Sequence, residues 1–279
     1  KGGFALIEIP EAVVLADQIN HAVSGKCIQH VVAAHSPHKF AWYAGDPAEY
    51  SGMLTGKIIG SAANWGGMVE IQVDNHCLLF SDGVNLRFYQ NPTDLPAKHQ
   101  LWIEFDDSSS LLGSVAMYGG LWCFKQNSFD NPYYLIAKEK PSPLTNIFDE
   151  AYFSSLVSTA QEKLSLKAFL ATEQRIPGLG NGVLQDILYN AKLHPKRKVA
   201  SLESYEKDKL FSSIKDTLMQ MSAQGGRDTE KDLFGETGGY ATRASKNTVG
   251  KPCPHCGSLV VKEAYMGGSI YYCPGCQKI

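Results

Sequence analysis

Two rhythms of apolar and polar positions divide the chain. After Pro10, the stretch from Glu11 to Val23 reads as a helix, with proline in the first turn and an acidic residue beside it as start signals. From Lys26 to about Leu135 the pattern is that of strands: Cys27 to Ala34, Met68 to Val73, Leu78 to Ser81, Asn85 to Tyr89 and Gln100 to Phe105. Gly, Asn, Asp and Ser clusters separate them, as at Ser81-Asp82-Gly83 and from Asp106 to Ser110. This predicts a β-sandwich or barrel opened by one helix. Ala137 to Thr145, with two prolines, reads as a linker. Beyond it the period becomes helical over Tyr152 to Leu170, Gly182 to Ala191 and Ser204 to Met221. Ala223 to Gly250 is polar, aperiodic and rich in Gly, Lys and Asp, and a loop of that length is usually functional or disordered. The expected organisation is a sandwich domain over 1–136, a helical domain over 137–222, a long loop over 223–250 and a cysteine module over 251–279.

Composition narrows the class. The 279 residues suffice for about two domains. With 44% hydrophobic and 19% charged residues, the chain is not disordered, collagen-like or a coiled coil. No apolar run approaches the roughly 20 residues of a membrane span. Lys1 to Leu6 is too short for a signal peptide, so the expected setting is the cytoplasm of a bacterial-type cell, associated with the nucleoid when bound. Residues 1–150 carry 9 basic and 16 acidic residues, a balance of −7, whereas 151–279 carry 17 and 12, a balance of +5. A polyanion would prefer the second half, although an imbalance of this size can also be chance.

Seven cysteines cannot all pair within one chain. Cys27, Cys77 and Cys123 are scattered and read as small core hydrophobes. The others form Cys253-x2-Cys256 and Cys273-x2-Cys276, each on a tight knuckle containing Pro and Gly. Two such knuckles complete a tetrahedron of thiolates, the pattern of one structural zinc ion. His255 could compete as a ligand, but four thiolates already close the site, which leaves no open position for chemistry at the metal.

Gln174-Arg175-Ile176-Pro177-Gly178-Leu179-Gly180-Asn181 precedes a helix. A glycine-rich turn feeding a helix presents backbone N–H groups and the helix dipole to an anion, and Asn181 can cap that helix. Alone, this pattern reads first as an ordinary interhelical turn. A cysteine module downstream and a basic surplus around it favour a phosphate backbone as the ligand.

These residues resemble the formamidopyrimidine-DNA glycosylase / endonuclease VIII family. Glu8-Ile9-Pro10-Glu11 is similar to its amino-terminal motif. Lys167, Gln174-Arg175 and Gly178-Leu179-Gly180-Asn181 resemble its helix–two-turn–helix. Gly225-Gly226-Arg227-Asp228 and Gly238-Gly239-Tyr240 resemble the loop before its zinc ribbon, and the four cysteines match its spacing. The resemblance runs from Ile7 to the end of the chain. It implies an α+β multidomain fold: an N-terminal β-sandwich with a leading helix, then a helix–two-turn–helix domain with a C-terminal zinc-ribbon β-hairpin. It also implies a monomeric clamp on double-stranded DNA, damaged or abasic. In active members a proline amine attacks the sugar of the lesion through an iminium intermediate, a neighbouring glutamate handles protons, and the damaged base is flipped out of the stack.

The departures bear on activity. The proline position corresponds to Ile7, which six residues precede, so its nitrogen is an amide. The family's strand lysine corresponds to Gly67 and its zinc-hairpin arginine to Gly268. Met117 and Tyr118 occupy the place of an arginine and a phenylalanine that enter the duplex; Tyr118 can wedge between bases, but Met117 cannot hydrogen-bond an orphan base. Glu8 is either the catalytic carboxylate or a first-turn acid. Lys167 and Asn181 are expected to bind phosphate, and Arg175 either binds phosphate or is an internal salt-bridge partner. Three function readings follow. One is a lesion- or abasic-site-binding protein impaired in amine chemistry. The second is an active glycosylase, with or without lyase action, using a freed Ile7 amine or water activated by Glu8. The third is a protein-interaction module docking through residues 223–250. Lys1 to Leu6, Phe4 or Leu6 especially, are expected to pack near the cleft.

Overall fold

The computed structural model describes residues 6–91 and 95–279. Helix α1 (Ile9–Ala22) is followed by β1 (Ile28–Ala33), β2 (Ala41–Trp42), α2 (Tyr50–Leu54), β3 (Ile59–Trp65), β4 (Met68–Val73), β5 (His76–Tyr89), β6 (Leu101–Phe105) and β7 (Ser110–Lys125). Then come α3 (Pro132–Glu139), α4 (Glu150–Ser158), α5 (Leu166–Ala171), α6 (Val183–Ala191), α7 (Ser204–Ala223) and the hairpin β8 (Val261–Tyr265) and β9 (Gly268–Tyr272).

The strands hydrogen-bond in the order β1-β6-β7-β5-β4-β3, with β2 added in parallel to β7. The long strands β5 and β7 belong to both halves of this sheet. Ile28, Val31, Ile103 and Phe105 from one half share a core with Ile59, Val69, Ile71 and Val73 from the other. Helix α1 closes that core with Ala12, Leu15, Ala16 and Ile19, spaced three and four apart so that they line one helical face. The helices α4 to α7 bury a second core around Phe153, Phe169, Leu184, Ile187, Leu210 and Ile214.

Three sequence expectations need correction. Ser81-Asp82-Gly83 is not a turn between strands. It lies inside β5, where Asp82 adopts φ 56° and the register to β7 shifts between Asp82 and Val84. An extra residue of this kind bends a strand without ending it. The expected linker begins inside α3, whose Asn131 cap accepts from Tyr133 and Tyr134 N–H groups at 3.0 and 3.2 Å. The helix expected over Tyr152 to Leu170 is two, because Ser165 caps a new start at α5 by accepting from the Ala168 N–H.

Residues 224–250 contain no helix or strand but are tightly held. Leu233 enters the sheet core, and its N–H donates to Gln18 Oε1 at 2.9 Å. The paired glycines have a steric reason: a β-carbon on Gly238 would lie 2.4 Å from Gly226 backbone.

Candidate functional site

Consecutive residues at the start of α1 join the two bodies. Ile7 belongs to the sheet core and Ile9 to the helical core, which leaves Glu8 on the seam between them. The seam opens into a cleft of about 490 Å³ lined by Ile7, Glu8, Gly67, Asp82, Met117, Tyr118, Lys167, Asn181 and Gly268, among others. The fold thus gathers residues that are far apart in sequence. Arg175 does not line it. Its guanidinium pairs with Glu173 and donates to the Thr172 carbonyl at 3.2 Å, which fits the internal-partner alternative.

Glu8 is the most constrained of these side chains. Its carboxylate accepts from the Gly182 N–H at 2.8 Å and the Val183 N–H at 2.7 Å, at the start of α6. The anion site expected at that helix start is therefore filled from within, by a carboxylate of the chain itself, and Asn181 is not the cap. Favourable dipole and N–H contacts make this a natural carboxylate position. Gly180 and Gly182 permit the approach, since a β-carbon at Gly180 would fall 2.5 Å from Glu8 Oε1 and one at Gly182 would strike Arg227.

Arg227 balances the charge. Its guanidinium grips Glu11 at 2.9 and 2.7 Å and lies 3.5 Å from Glu8, with all three side chains buried. Burial pushes the Glu8 carboxyl above the usual range; Arg227 opposes this and Glu11 reinforces it. Burial works against the Arg227 charge, but Glu11 and Glu8 outweigh it and hold the guanidinium protonated. Glu230 completes the cluster: burial, against the pull of Arg227 and with the repulsion of Glu11 and Glu8, pushes it up to about 7. It accepts the Leu6 N–H at 3.2 Å. Leu6 is half-buried and lines the cleft, as expected, whereas Phe4 lies outside the described residues.

The Ile7 nitrogen is engaged. Its N–H donates to the Asp82 carbonyl at 2.7 Å, and Ile7 and Asp82 form an antiparallel bridge. Beside it, the turn between β3 and β4 presses on the glycine-rich turn. A β-carbon on Gly67 would lie 2.8 Å from the Ile7 oxygen and 3.2 Å from Gly178 Cα.

On the opposite wall, the Lys167 ammonium donates to the Tyr265 carbonyl, and burial lowers its pKa. Asn181 Nδ2 donates to the Ser269 oxygen at 3.0 Å, and Gln185 both donates to that oxygen at 3.2 Å and accepts from the Tyr271 N–H at 3.0 Å. These bonds seat the β8–β9 hairpin on the turn and bring Gly268 against Lys167 and Asn181. On the sheet side, Tyr118 is half-buried, and burial, with Asp82 and Glu8 nearby, raises its hydroxyl pKa.

The sulfurs of Cys253, Cys256, Cys273 and Cys276 all lie within 4.8 Å of one another. Cys253 and Cys276 are 3.8 Å apart and Cys256 and Cys273 are 3.4 Å apart. Four bonds of about 2.3 Å in a tetrahedron separate thiolates by about 3.8 Å, so this cluster fits a zinc finger. His255 stands outside it, exposed, with its ring 6.0 Å from that of Tyr189. Cys77 and Cys123 are buried in the sheet domain as small apolar residues, while Cys27 is half-exposed.

Sequence reasoning did not single out Arg227, Glu230, Asp82 or Gln185 as members of the site. Gln185 carried a local signal, being four residues after Asn181 and so on the same helical face. The others are brought in by tertiary contact alone.

A sheet body and a helical body meeting at one cleft, with a four-cysteine hairpin seated on a glycine-rich turn, define a two-domain clamp of the helix–two-turn–helix class. Residues 140–232 match the formamidopyrimidine-DNA glycosylase H2TH domain. A formamidopyrimidine-DNA glycosylase of Prochlorococcus marinus (strain MIT 9312) is 32% identical over 198 residues, which are 69% of this chain and 67% of that protein. The chain belongs to the formamidopyrimidine-DNA glycosylase family. A relative of the same description from Bacillus cereus (strain ATCC 10987) is 24% identical over 97% of this chain and 98% of its own length. The fold is that of MutM (Fpg) from Thermus thermophilus, with a TM-score of 0.80 at 23% identity, covering 97% of this chain and 98% of that one. Lactococcus lactis Fpg in complex with abasic-site DNA superposes with a TM-score of 0.82 at 22% identity, over 98% of this chain and all of that one. No helix among the described residues is long and apolar enough to cross a membrane.

Proposed function

We propose that this protein binds damaged or abasic double-stranded DNA as a monomeric clamp, holds one structural zinc at Cys253, Cys256, Cys273 and Cys276, and does not use Ile7 as an amine nucleophile. The observation that carries the reading is the Ile7 nitrogen, an amide whose N–H is committed to the Asp82 carbonyl at 2.7 Å within the cleft. An amide lone pair is delocalised into its carbonyl and does not form an iminium ion with a sugar aldehyde. The positions of the two flanking cations, Gly67 and Gly268, have no side chain. Lys167 and Asn181 remain in the cleft to meet phosphate, and Tyr118 remains to wedge between bases.

Borohydride trapping on a duplex with a natural abasic site, run beside a family member that traps, tests the reading together with a binding titration at low salt. The expected result is a complex without a covalent adduct. A reducible adduct overturns it, and mapping that adduct names the nucleophile. Failure to bind at low salt would replace it with the protein-interaction reading.

A second reading is base release by water that Glu8 activates. It draws support from a buried carboxyl of raised pKa on the cleft wall, although both of its oxygens already accept N–H bonds. Release of a damaged base without strand scission would establish that reading.

A further inference from the structure

Beyond the cleft, β2 carries an unusual pair of side chains. In a two-residue strand flanked by Phe40, successive residues point to opposite faces. Ala41 packs on the sheet core, so Trp42 points outward, 43% exposed, and Phe40, in the turn just before the strand, is 48% exposed. The strand is fixed in place: Ala41 and Trp42 pair with Gly119 and Gly120 of β7, and the Gly119 N–H donates to the Phe40 carbonyl at 3.0 Å. These glycines follow Tyr118 directly. The Trp42 ring therefore lies against that of Tyr118, with centroids 5.8 Å apart and planes tilted by 35°. The Lys39 ammonium stands 5.4 Å from the Phe40 ring centre.

Single exposed apolar residues on a surface need no explanation, whereas clustered ones do. Here two large aromatic rings and a cation continue outward from a third ring that lines the cleft. Aromatic faces interleaved with positive charge are the means by which proteins hold unpaired nucleobases. Nothing in the core requires Trp42 to be aromatic, because its outer face meets solvent. From these observations we propose that Trp42 and Tyr118 form a two-ring platform that stacks one unpaired nucleobase, the base left without a partner opposite an abasic site. Lys39 attracts the adjoining phosphate. This inference rests on the DNA reading given above. Its additional content is that Trp42 on β2, which does not line the cleft, adds to the preference for an unpaired base.

The test is Trp42→Ala, with Trp42→Phe as the conservative variant, titrated against two duplexes. One is fully paired; the other has an abasic site facing 2-aminopurine, whose fluorescence falls on stacking. Loss of one base–aromatic stack costs about fivefold to a hundredfold in affinity. The expected result is such a loss by W42A on the abasic duplex only, with the fluorescence quench abolished, and recovery of both by W42F. Equal losses on the two duplexes, or an unchanged quench in W42A, would overturn the platform while leaving DNA binding intact. If the parent protein binds neither duplex, the DNA reading fails and the platform with it. A variant that does not fold is recognised by its lost circular dichroism; Trp42→Gln, which keeps a side chain on the same exposed face, then decides by the same two readouts.

Discussion

Gly67 and Gly178 meet backbone to backbone: a β-carbon on Gly178 would fall 2.0 Å from the Gly67 nitrogen. Gly178 also has φ +79°, a conformation that disfavours any residue with a β-carbon. The cleft is thus closed at one end by two turns, one from each body, that touch without side chains. This gives the glycine at the position expected for the family's strand lysine a structural reading. The position has become part of a turn-to-turn contact in which a side chain has no room.

The first prediction follows. Gly67→Lys restores a cation in name but places its β-carbon 2.8 Å from the Ile7 oxygen, an atom that cannot swing away. Overpacking of this kind costs about 1–3 kcal/mol. A fall in thermal midpoint is expected, without a gain in affinity for abasic DNA. Gly178→Ala should fall further, since it combines the clash with the unfavourable φ. A Gly67→Lys protein with an unchanged midpoint and tighter DNA binding would refute the packing argument.

How much of this was legible beforehand depends on the range of each signal. The cysteine knuckles are local, and their gathering into one cluster could be read from spacing alone. The start of α1 was also readable from Pro10 and Glu11. What escaped was set by contacts across the chain. Ser81-Asp82-Gly83 has turn composition, yet β7 pairs with the chain on both sides of it, so it stays a bulge inside a strand, and its Asp82 carbonyl accepts the Ile7 N–H. Asn131-Pro132 falls in the expected strand region, yet Asn131 caps a helix whose Tyr134 and Lys138 serve the buried Glu70. Arg227 stood in a loop judged aperiodic. Its value comes from Glu8 and Glu11, more than 200 positions earlier, and no window of sequence contains both. The anion site was right in its dipole argument but wrong about the occupant, since Glu8 takes the place kept for phosphate.

The hairpin supplies a second prediction. Its two strands reach the helical body through Lys167, Asn181 and Gln185, and the cysteine cluster closes its base. Small metal-bound modules hold their fold through the metal. One zinc per chain is expected by elemental analysis. Its removal by a chelator should expose the amides of Val261 to Tyr272 to hydrogen exchange while α6 and α7 stay protected. Uniform loss of protection across the helical body would show that the module is not a separate unit.

Salt dependence offers a third. Each phosphate neutralised by a protein cation adds close to one unit to the slope of log affinity against log salt. Lys167 lines the cleft and stays near Gly268, where no arginine accompanies it. Lys167→Ala should therefore lower the slope by about 1 and weaken paired and abasic duplexes alike. The Arg175→Ala slope should match that of the parent, because Arg175 is committed to Glu173 and the Thr172 carbonyl. If Arg175→Ala flattens the slope and Lys167→Ala does not, the two roles are exchanged.

The buried carboxyl cluster makes stability depend on pH in an unusual direction. Glu230 is pushed from 4.5 up to about 7 by burial among Glu11 and Glu8, despite Arg227. The folded protein then holds a proton that the unfolded chain has already released. Where the native state binds more protons, stability falls as pH rises. The contribution is therefore greatest below about pH 4.5 and is lost progressively up to about pH 7. A raised Glu8 acts in the same sense. At 1.36 kcal/mol per unit, the Glu230 loss is at most about 3 kcal/mol. Glu230→Gln keeps a neutral acceptor for the Leu6 N–H and removes the titration. In denaturant melts it should match the parent near pH 4.5 and exceed it at pH 8. An equal difference at both pH values would mean that the side-chain exchange, and not its charge, sets the stability, and a less stable variant at pH 8 would mean that Glu230 is held ionised by Arg227.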